Sequence, residues 1–357
     1  MLNDKHLNLD DETLLKNKKH FHFIGIGGSG MFPLVQILHA KGVYITGSDN
    51  NETDTLQMER DMGIPIVLGQ RAENIEGADV IVYTAAIMSD NPELIAAQQS
   101  DALLLERSQL LGILSRHYDN CICVCGTHGK TTTTGLLTQL LLEAGKDPTA
   151  VIGGKLPAIH GSGRVGHGEN MVCEACEFVD TFLKLAPDVA VILNIDADHL
   201  DYFKTVENII RSFRKFASMT TKELIVNGDD ARTLKAIEGL DKKVTTFGFG
   251  EQNDYYPANI TKGSGATRTF DLMRRGEKIA HVVLHIPGEH NIYNAMAAMV
   301  AAIHTGVAPQ DAADSVAHFG GTQRRFEILG QVNGFTVADD YAHHPAELKV
   351  TLSAAQD

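Results

Sequence analysis

Short apolar runs and longer stripes of apolar residues at helical spacing succeed one another along almost the whole chain. Residues 20–24 (HFHFI), 43–46 and 79–83 (DVIVY) read as strands, interleaved with helical patterns over 31–40, 91–98 and 107–115. A second series opens near Asp119, with strands over 120–125 (NCICVC), 170–175, 189–194 and 223–227 and helices over 132–144 and 206–216. Residues 243–286 look like alternating strands that turn at Gly263, Gly265 and Gly276. Helices follow over 290–304 and 309–319, then strands over 326–332 and 335–339 and a helix from Pro345. Strand and helix in this order predict an α/β protein with parallel sheets.

The pattern divides the 357 residues into units at 1–117, 118–321 and 322–357. The last has two strands and one helix before Asp357, too little to bury its own apolar faces. It reads as the beginning of a truncated domain.

Composition narrows the class. Hydrophobic residues at 43% and charged residues at 21% are those of a soluble globular protein. A formal charge of −14 argues against a nucleic-acid partner gripped through its phosphates. No run has the length of a membrane span, and the opening MLNDKHLNLDDETLLK is too charged for a signal peptide, so a cytoplasmic location is expected. Five cysteines fit that compartment as thiols. Cys121, Cys123 and Cys125 alternate on one strand face, and Cys173-x-x-Cys176 has no second pair at zinc spacing.

Chemistry concentrates in two glycine-rich turns. Gly126-Thr127-His128-Gly129-Lys130-Thr131-Thr132 lies between an apolar strand and a leucine-striped helix, so its backbone N–H groups face an anion at a helix N-terminus. In such a turn the lysine reaches the outer phosphates and the following hydroxyl holds magnesium. The longer pattern would need glycine at 124, where this chain has Val124. Gly25-Ile26-Gly27-Gly28-Ser29-Gly30 also follows a strand and opens a helix, with Asp49 at the end of the next strand. That turn fits a diphosphate, whether in NAD or in a nucleotide sugar. An NAD-dependent oxidoreductase is therefore the alternative, but it has no use for the second turn.

Other polar residues gather at strand ends. Glu174 is placed to complete a magnesium shell begun by Thr131. The segment 194–201 (NIDADHLD) crowds acids around His199, as a metal-facing loop would. Asn291 and Asn294, at i and i+3, offer amides to the edge of adenine. Arg324 and Arg325 lie at the boundary of the third unit, and Asp340, His343 and His344 form a further cluster beyond it.

Taken together, HFIGIGGSGM (22–31), ITGSD (45–49), GTHGKTTTT (126–134), NIDADHLD (194–201), GEHNIYNA (288–295), GTQRRFE (321–327) and DDYAHHP (339–345) resemble the Mur ligase family of bacterial cell-wall enzymes. The resemblance runs from about His20 to the chain end. It implies a Rossmann-like N-terminal domain for a UDP substrate, a central P-loop ATPase domain with a small β-sheet, and the start of a Rossmann-like C-terminal domain. It further implies that ATP phosphorylates the lactyl carboxylate of UDP-N-acetylmuramate and that the amine of L-alanine then displaces phosphate. On this footing Gly25, Gly27, Gly28, Ser29, Gly30, Met31, Ser48 and Asp49 face the UDP-sugar. Gly126 to Thr132, Asn291, Asn294 and Arg325 hold ATP, and Thr131, Glu174 and His199 are the Mg2+ ligands. Lys130, Glu174, His199, Arg325, Asp340, His343 and His344 are the catalytic set.

Two features depart from the family pattern. Cys176 stands where an acid is expected, so a second carboxylate must come from Glu177 or Asp180. The short third unit predicts, if these residues are the whole polypeptide, UDP-sugar binding with little turnover, or even an idle UDP-sugar-binding fragment.

Overall fold

The computed structural model describes residues 15–263, 266–342 and 345–355. Its first sheet contains β1 (His20–Ile24), β2 (Tyr44–Asp49), β3 (Ile66–Leu68), β4 (Val80–Tyr83) and β5 (Leu103–Glu106). All pairs are parallel, in the order β3-β2-β1-β4-β5. The chain steps outward from β1 to β3 and then returns past β1 to β4, so the order reverses beside β1. That reversal opens a crevice at the carboxyl ends of β1 and β4, where α/β sheets bind ligands. Helices α1 (Phe32–Ala40), α2 (Asp54–Asp61), α3 (Pro92–Gln99) and α4 (Arg107–Ser115) complete the unit. Phe21 and Phe23 pack with Leu34 and Val35 of α1, whereas Ile24 and Ile81 turn to Leu94 and Ala97 of α3.

The second sheet has ten strands: β6 (Asn120–Cys125), β7 (Thr149–Leu156), β8 (Gly161–Arg164), β9 (Asn170–Glu174), β10 (Val189–Ile192), β11 (Glu223–Asn227), β12 (Val244–Phe247), β13 (Tyr255–Lys262), β14 (Arg268–Arg274) and β15 (Glu277–Leu284). Their order is β15-β14-β13-β12-β11-β10-β6-β9-β7-β8. The small β-sheet expected from sequence is the antiparallel continuation β13-β14-β15 of this sheet. Parallel pairing of Phe247 with Tyr255 joins the two parts, because the turn at 248–254 brings the chain back in the same direction. Of the expected turns, Gly276 has φ +90° and joins β14 to β15, while Gly265 lies outside the described residues.

The alternation along β6 explains the position of this strand at the centre. Cys121, Cys123 and Cys125 are fully buried in a core shared with Phe213 and Phe216 of α7 (Val206–Met219). Ile122 and Val124 point the other way, into a core with Leu136, Leu137 and Leu140. Those leucines lie on α5 (Lys130–Glu143), which packs against α9 (His290–His304) through Ala297, Ala298 and Ala301. Burying each such Ile or Leu side chain contributes about 1.5–3 kcal/mol, enough to fix the strand from which the phosphate turn springs. α6 (Leu200–Phe203), α8 (Ala231–Ile237) and α10 (Pro309–His318) finish the domain.

One hairpin ties the first two units together. Gly161 and Gly163 of β8 face Phe32, Pro33 and Gln36 of α1 so closely that a Cβ on Gly163 would lie 2.6 Å from Pro33. Ser162 Oγ donates to the carbonyl of Ser29 at 2.9 Å, inside the first glycine turn. The third unit is the antiparallel hairpin of β16 (Glu327–Val332) and β17 (Phe335–Asp339), followed by α11 (Pro345–Ala355). Ile328, Leu329 and Phe335 of this hairpin are exposed.

Candidate active site

The glycine turns occupy equivalent places at the carboxyl ends of β1 and β6. In the first, the Gly25 and Ile26 N–H groups donate to the Ser48 carbonyl at 2.8 and 3.0 Å, and Gly27 N–H donates to Asp49 Oδ2 at 3.0 Å. Gly25 has φ +79°, a conformation that glycine adopts without strain. Asp49 also accepts from Asn51 N–H, so this acid fastens the turn. Ser48, expected to face the UDP-sugar, is fully buried and its hydroxyl donates to Glu93. Its contribution to the turn is its carbonyl, because its side chain meets Glu93 of α3 on the covered face of the sheet. Gly28, Ser29 and Gly30 lead into α1, and Met31 is buried.

The second turn is fixed from the neighbouring strand. Thr127 N–H donates to the Asn194 carbonyl at 3.0 Å, His128 N–H donates to Asn194 Oδ1 at 2.8 Å, and Asn194 Nδ2 donates back to the His128 carbonyl at 3.0 Å. Gly129, at φ +86°, precedes the first residue of α5, and a Cβ there would meet Asn294 Oδ1 at 2.4 Å. Thr132 follows on the first turn of α5. The N–H groups at the start of this helix have no intrahelical partner, which makes the turn a place for an anion.

Lys130 and Glu177 form a nearly dry ion pair. The ammonium donates to both Glu177 oxygens at 2.9 and 3.2 Å and to the carbonyls of Gly126 and Thr127 at 2.6 and 3.1 Å. Burial works against its charge, but the carboxylate beside it and the nearby Cys176 and Glu174 win and hold its pKa above the ordinary lysine value. Beside them, Thr131 Oγ1 donates to Glu174 Oε1 at 3.1 Å, and Gly153 N–H of β7 donates to Glu174 Oε2 at 2.7 Å. Thr131 and Glu174 thus present two hard oxygen donors side by side, a set that fits Mg2+.

The remaining expected ligands are arranged differently. His199 lies against Phe178 with ring centroids 4.7 Å apart, and its Nε2 is 3.8 Å from Asp198 Oδ2. Asp198 accepts from the His199 N–H at 2.7 Å. Asp196 is tied to Arg232 at 2.6 Å and to the Ala197 N–H at 2.7 Å, so this loop relieves its acids by turn hydrogen bonds and a guanidinium. Among the described residues no three His, Cys, Asp or Glu side chains converge on one point as a metal centre. Both candidate substitutes for the missing acid at 176 are engaged within the chain. Glu177 is committed to Lys130, and Asp180 accepts from Ser212 and from Tyr202 at 2.8 Å.

A cleft of 360 Å³ continues from the turn, lined by His128, Gly129, Asn194, Asn227, Asp229 and Tyr293 among others. Asn294 reaches this cleft, while its Oδ1 accepts from Thr133 at 3.2 Å. Asn291 does not line it, because its amide donates to the Pro287 carbonyl at 2.6 Å and accepts from Asn294 at 2.8 Å. Sequence reading passed over Asp229, which accepts from Tyr293 Oη at 3.0 Å and so sets the ring at the cleft mouth. The signal was available: Gly228-Asp229-Asp230 follows β11 at the same carboxyl edge. A larger cavity of 470 Å³ lies at the opposite end of the first sheet, around Gly77, Asp79 and Ala102, away from both turns.

The boundary into the third unit passes the same edge. Gln323 N–H donates to the Lys155 carbonyl at 2.9 Å, and a Cβ on Gly154 would stand 3.0 Å from Thr131 Cγ2 and 3.9 Å from the Gln323 carbonyl. Arg325 follows two residues later with its guanidinium 5.7 Å from the Tyr341 ring. Asp340 accepts from the Phe326 and Ala342 N–H groups, each at 2.7 Å. His343 and His344 lie outside the described residues.

Comparison with known proteins covers all three units. The Mur ligase family catalytic domain profile matches residues 20–119, the Mur ligase middle domain residues 124–302, and the Mur ligase glutamate ligase domain residues 324–357. UDP-N-acetylmuramate–L-alanine ligase of Agathobacter rectalis is 45% identical over 340 residues, 94% of this chain and 74% of that protein. The enzyme of the same name from Caldanaerobacter subterraneus is 45% identical over 348 residues, 97% of this chain and 76% of that one. Among solved structures, UDP-N-acetylmuramate-alanine ligase from Thermotoga maritima superposes with a TM-score of 0.83 at 29% identity, over 95% of this chain and 77% of its own.

Proposed function

The chain belongs to the Mur ligase family, and we propose that it joins L-alanine to the lactyl carboxylate of UDP-N-acetylmuramate at the expense of ATP. The observation that carries the reading is the pair of glycine turns at equivalent sheet edges, linked by the contact of Ser162 with Ser29. The Gly25–Gly30 turn takes the diphosphate of the UDP-sugar at the start of α1. The 126–132 turn takes the ATP phosphates, with the base in the cleft beside Tyr293 and Asn294. The alternative of an NAD-linked oxidoreductase gains no support from these relatives.

Each group of the chain has a chemical task. A carboxylate and a triphosphate repel, so positive charge must hold them in line. Lys130 and the N-terminus of α5 provide part of that charge. Thr131 and Glu174 would hold Mg2+, which when bound neutralises phosphate oxygens. The lactyl carboxylate attacks the γ-phosphorus and ADP leaves; the alanine nitrogen then attacks the acyl carbon, phosphate departs and the nitrogen sheds a proton. Arg325, at the edge of the third unit, is placed to answer closure of the site, which must exclude water from an acyl phosphate. His199, on the loop that follows β10, would serve as a partner of the acyl phosphate. The use of ATP and the five free thiols fit a cytoplasmic location.

Calorimetric titration of the chain with UDP-N-acetylmuramate, ATP and NAD tests the assignment. Binding of the first two is expected, and Lys130→Ala should remove the ATP response while the UDP-sugar titration stays unchanged. Saturable NAD binding that UDP-N-acetylmuramate fails to displace would overturn it.

A further inference from the structure

The Lys130 ammonium has three N–H donors, and among the described residues it gives them to the Gly126 and Thr127 carbonyls and the Glu177 carboxylate. Glu177 is 2% exposed and Lys130 13% exposed. A carboxylate in this position presents two anionic oxygens to the lysine, as a phosphate would. Lys130 therefore cannot give its full charge to a phosphate without loosening its hold on Glu177, and a buried carboxylate deprived of its cation is costly.

The backbone that carries Glu177 is held in place. Val179 and Asp180, just beyond it, have φ +53° and +58°, a conformation unfavourable for residues with a Cβ and worst for a β-branched one. It persists because the segment is tied on several sides. Thr181 Oγ1 and Phe182 N–H both bond to the Cys176 carbonyl, Asp180 N–H bonds to the Glu177 carbonyl, and the Asp180 carboxylate receives Tyr202 and Ser212. Strain held by surrounding contacts is a feature of sites where placement matters.

We infer that Glu177 is a positioning residue for the phosphate turn, an internal stand-in for phosphate that holds Lys130 along the loop and competes with the incoming nucleotide for it. The inference rests on the proposed nucleotide role of the 126–132 turn. Glu177 then sets two quantities in opposite senses. It weakens ground-state nucleotide binding by competition, and it keeps the lysine from settling on the wrong phosphate oxygen, which supports the transfer step. A residue that served the fold alone would weaken both when replaced.

The test is calorimetric binding of ADP in EDTA, without metal, to the unaltered chain, Glu177→Gln, Glu177→Asp and Glu177→Gln combined with Lys130→Met. Glu177→Gln is expected to tighten ADP by at least about fivefold, the low end of ordinary coupling between competing interactions. Glu177→Asp, which keeps the charge at a longer reach, should tighten it less. The double variant should lose the gain, since the freed lysine is its source. In the ligase reaction Glu177→Gln should lower the KM for ATP together with kcat, and UDP-N-acetylmuramate binding should stay within twofold. Unchanged or weaker ADP binding by both single variants overturns the inference, including the case in which Glu177→Gln fails to fold and Glu177→Asp shows no gain. Absence of ADP binding in every protein, the unaltered chain included, overturns the nucleotide role itself.

Discussion

Gly153→Ala isolates the placement of Glu174 from its identity. A Cβ at residue 153 would lie 2.5 and 2.6 Å from the two Glu174 oxygens, so the carboxylate must retreat by roughly 0.9 Å to reach an ordinary 3.4 Å contact. Retreat breaks its bond from Gly153 N–H at 2.7 Å and draws it away from Thr131 Oγ1 at 3.1 Å. The cost to the fold is small, because the obstacle is the far end of a flexible side chain and water can replace the lost donors. A 30° departure from a rotamer costs about 0.5–1.5 kcal/mol, which for a chain of this size moves Tm by under about 3 °C. The cost to a cation is larger. Misorienting a ligand typically lowers metal affinity about 10- to 100-fold. Titrating Mg2+ at fixed ATP should show the half-saturating concentration rise by that factor, with ADP binding in EDTA within twofold of the unaltered chain. An unchanged Mg2+ dependence, with Tm preserved, would refute both the role of Glu174 and the reasoning from its position.

Gly129→Ala should weaken ATP binding at least about 10-fold, since a residue with a Cβ at φ +86° costs about 1–2 kcal/mol and Asn294, 2.4 Å from that Cβ, must give up its bond from Thr133; UDP-N-acetylmuramate binding, measured in the same titration, should not move. Gly163→Ala pushes the hairpin from Pro33 and Gln36 and is expected to weaken UDP-N-acetylmuramate several-fold, an effect that titration calorimetry would read directly. Glu59 of α2 is fully buried, neither oxygen has a hydrogen-bond partner among the described residues, and burial followed by the charge of Asp49 pushes its pKa up to about 8. The folded chain therefore keeps a proton that the unfolded chain releases above about 4.5, so stability falls as pH rises from there to about 8, by on the order of 5 kcal/mol across the window. Thermal unfolding at pH 5 to 8 should show a steeper decline in Tm for the unaltered chain than for Glu59→Gln, and parallel declines would count against a protonated Glu59.

The sequence made the two turns legible because everything that defines them is local: an apolar strand, glycines where φ must be positive, and a helix start. Alternation likewise placed Cys121, Cys123 and Cys125 on one buried face, as found. Distances across the fold were hidden. Asn291 has the right residue type and spacing to face adenine, yet the Pro287 carbonyl, four residues back along the chain, takes its amide. Ser48 stands in a motif, but its hydroxyl is taken by Glu93, 45 positions away in the chain. Lys130 carries a motif signature that says nothing of Glu177, which stands 47 positions away in the chain.

The hairpin of β7 and β8 escaped detection for a more instructive reason. Its strands contain Gly153-Gly154 and Gly161-Ser162-Gly163, residues with poor strand propensity that the periodic pattern passes over. Three of the four glycines are nevertheless accounted for by what stands against them: Glu174 beside Gly153, Thr131 beside Gly154, and Pro33 beside Gly163. Larger residues would give a better strand and a worse site, because the strand would then stand off from the groups it serves. The same two-stranded element touches the proposed cation ligand Glu174 at one end and the first glycine turn, through Ser162 and Ser29, at the other. Local preference was thus given up where two ligands must be held in register, which is where sequence pattern and function are expected to disagree.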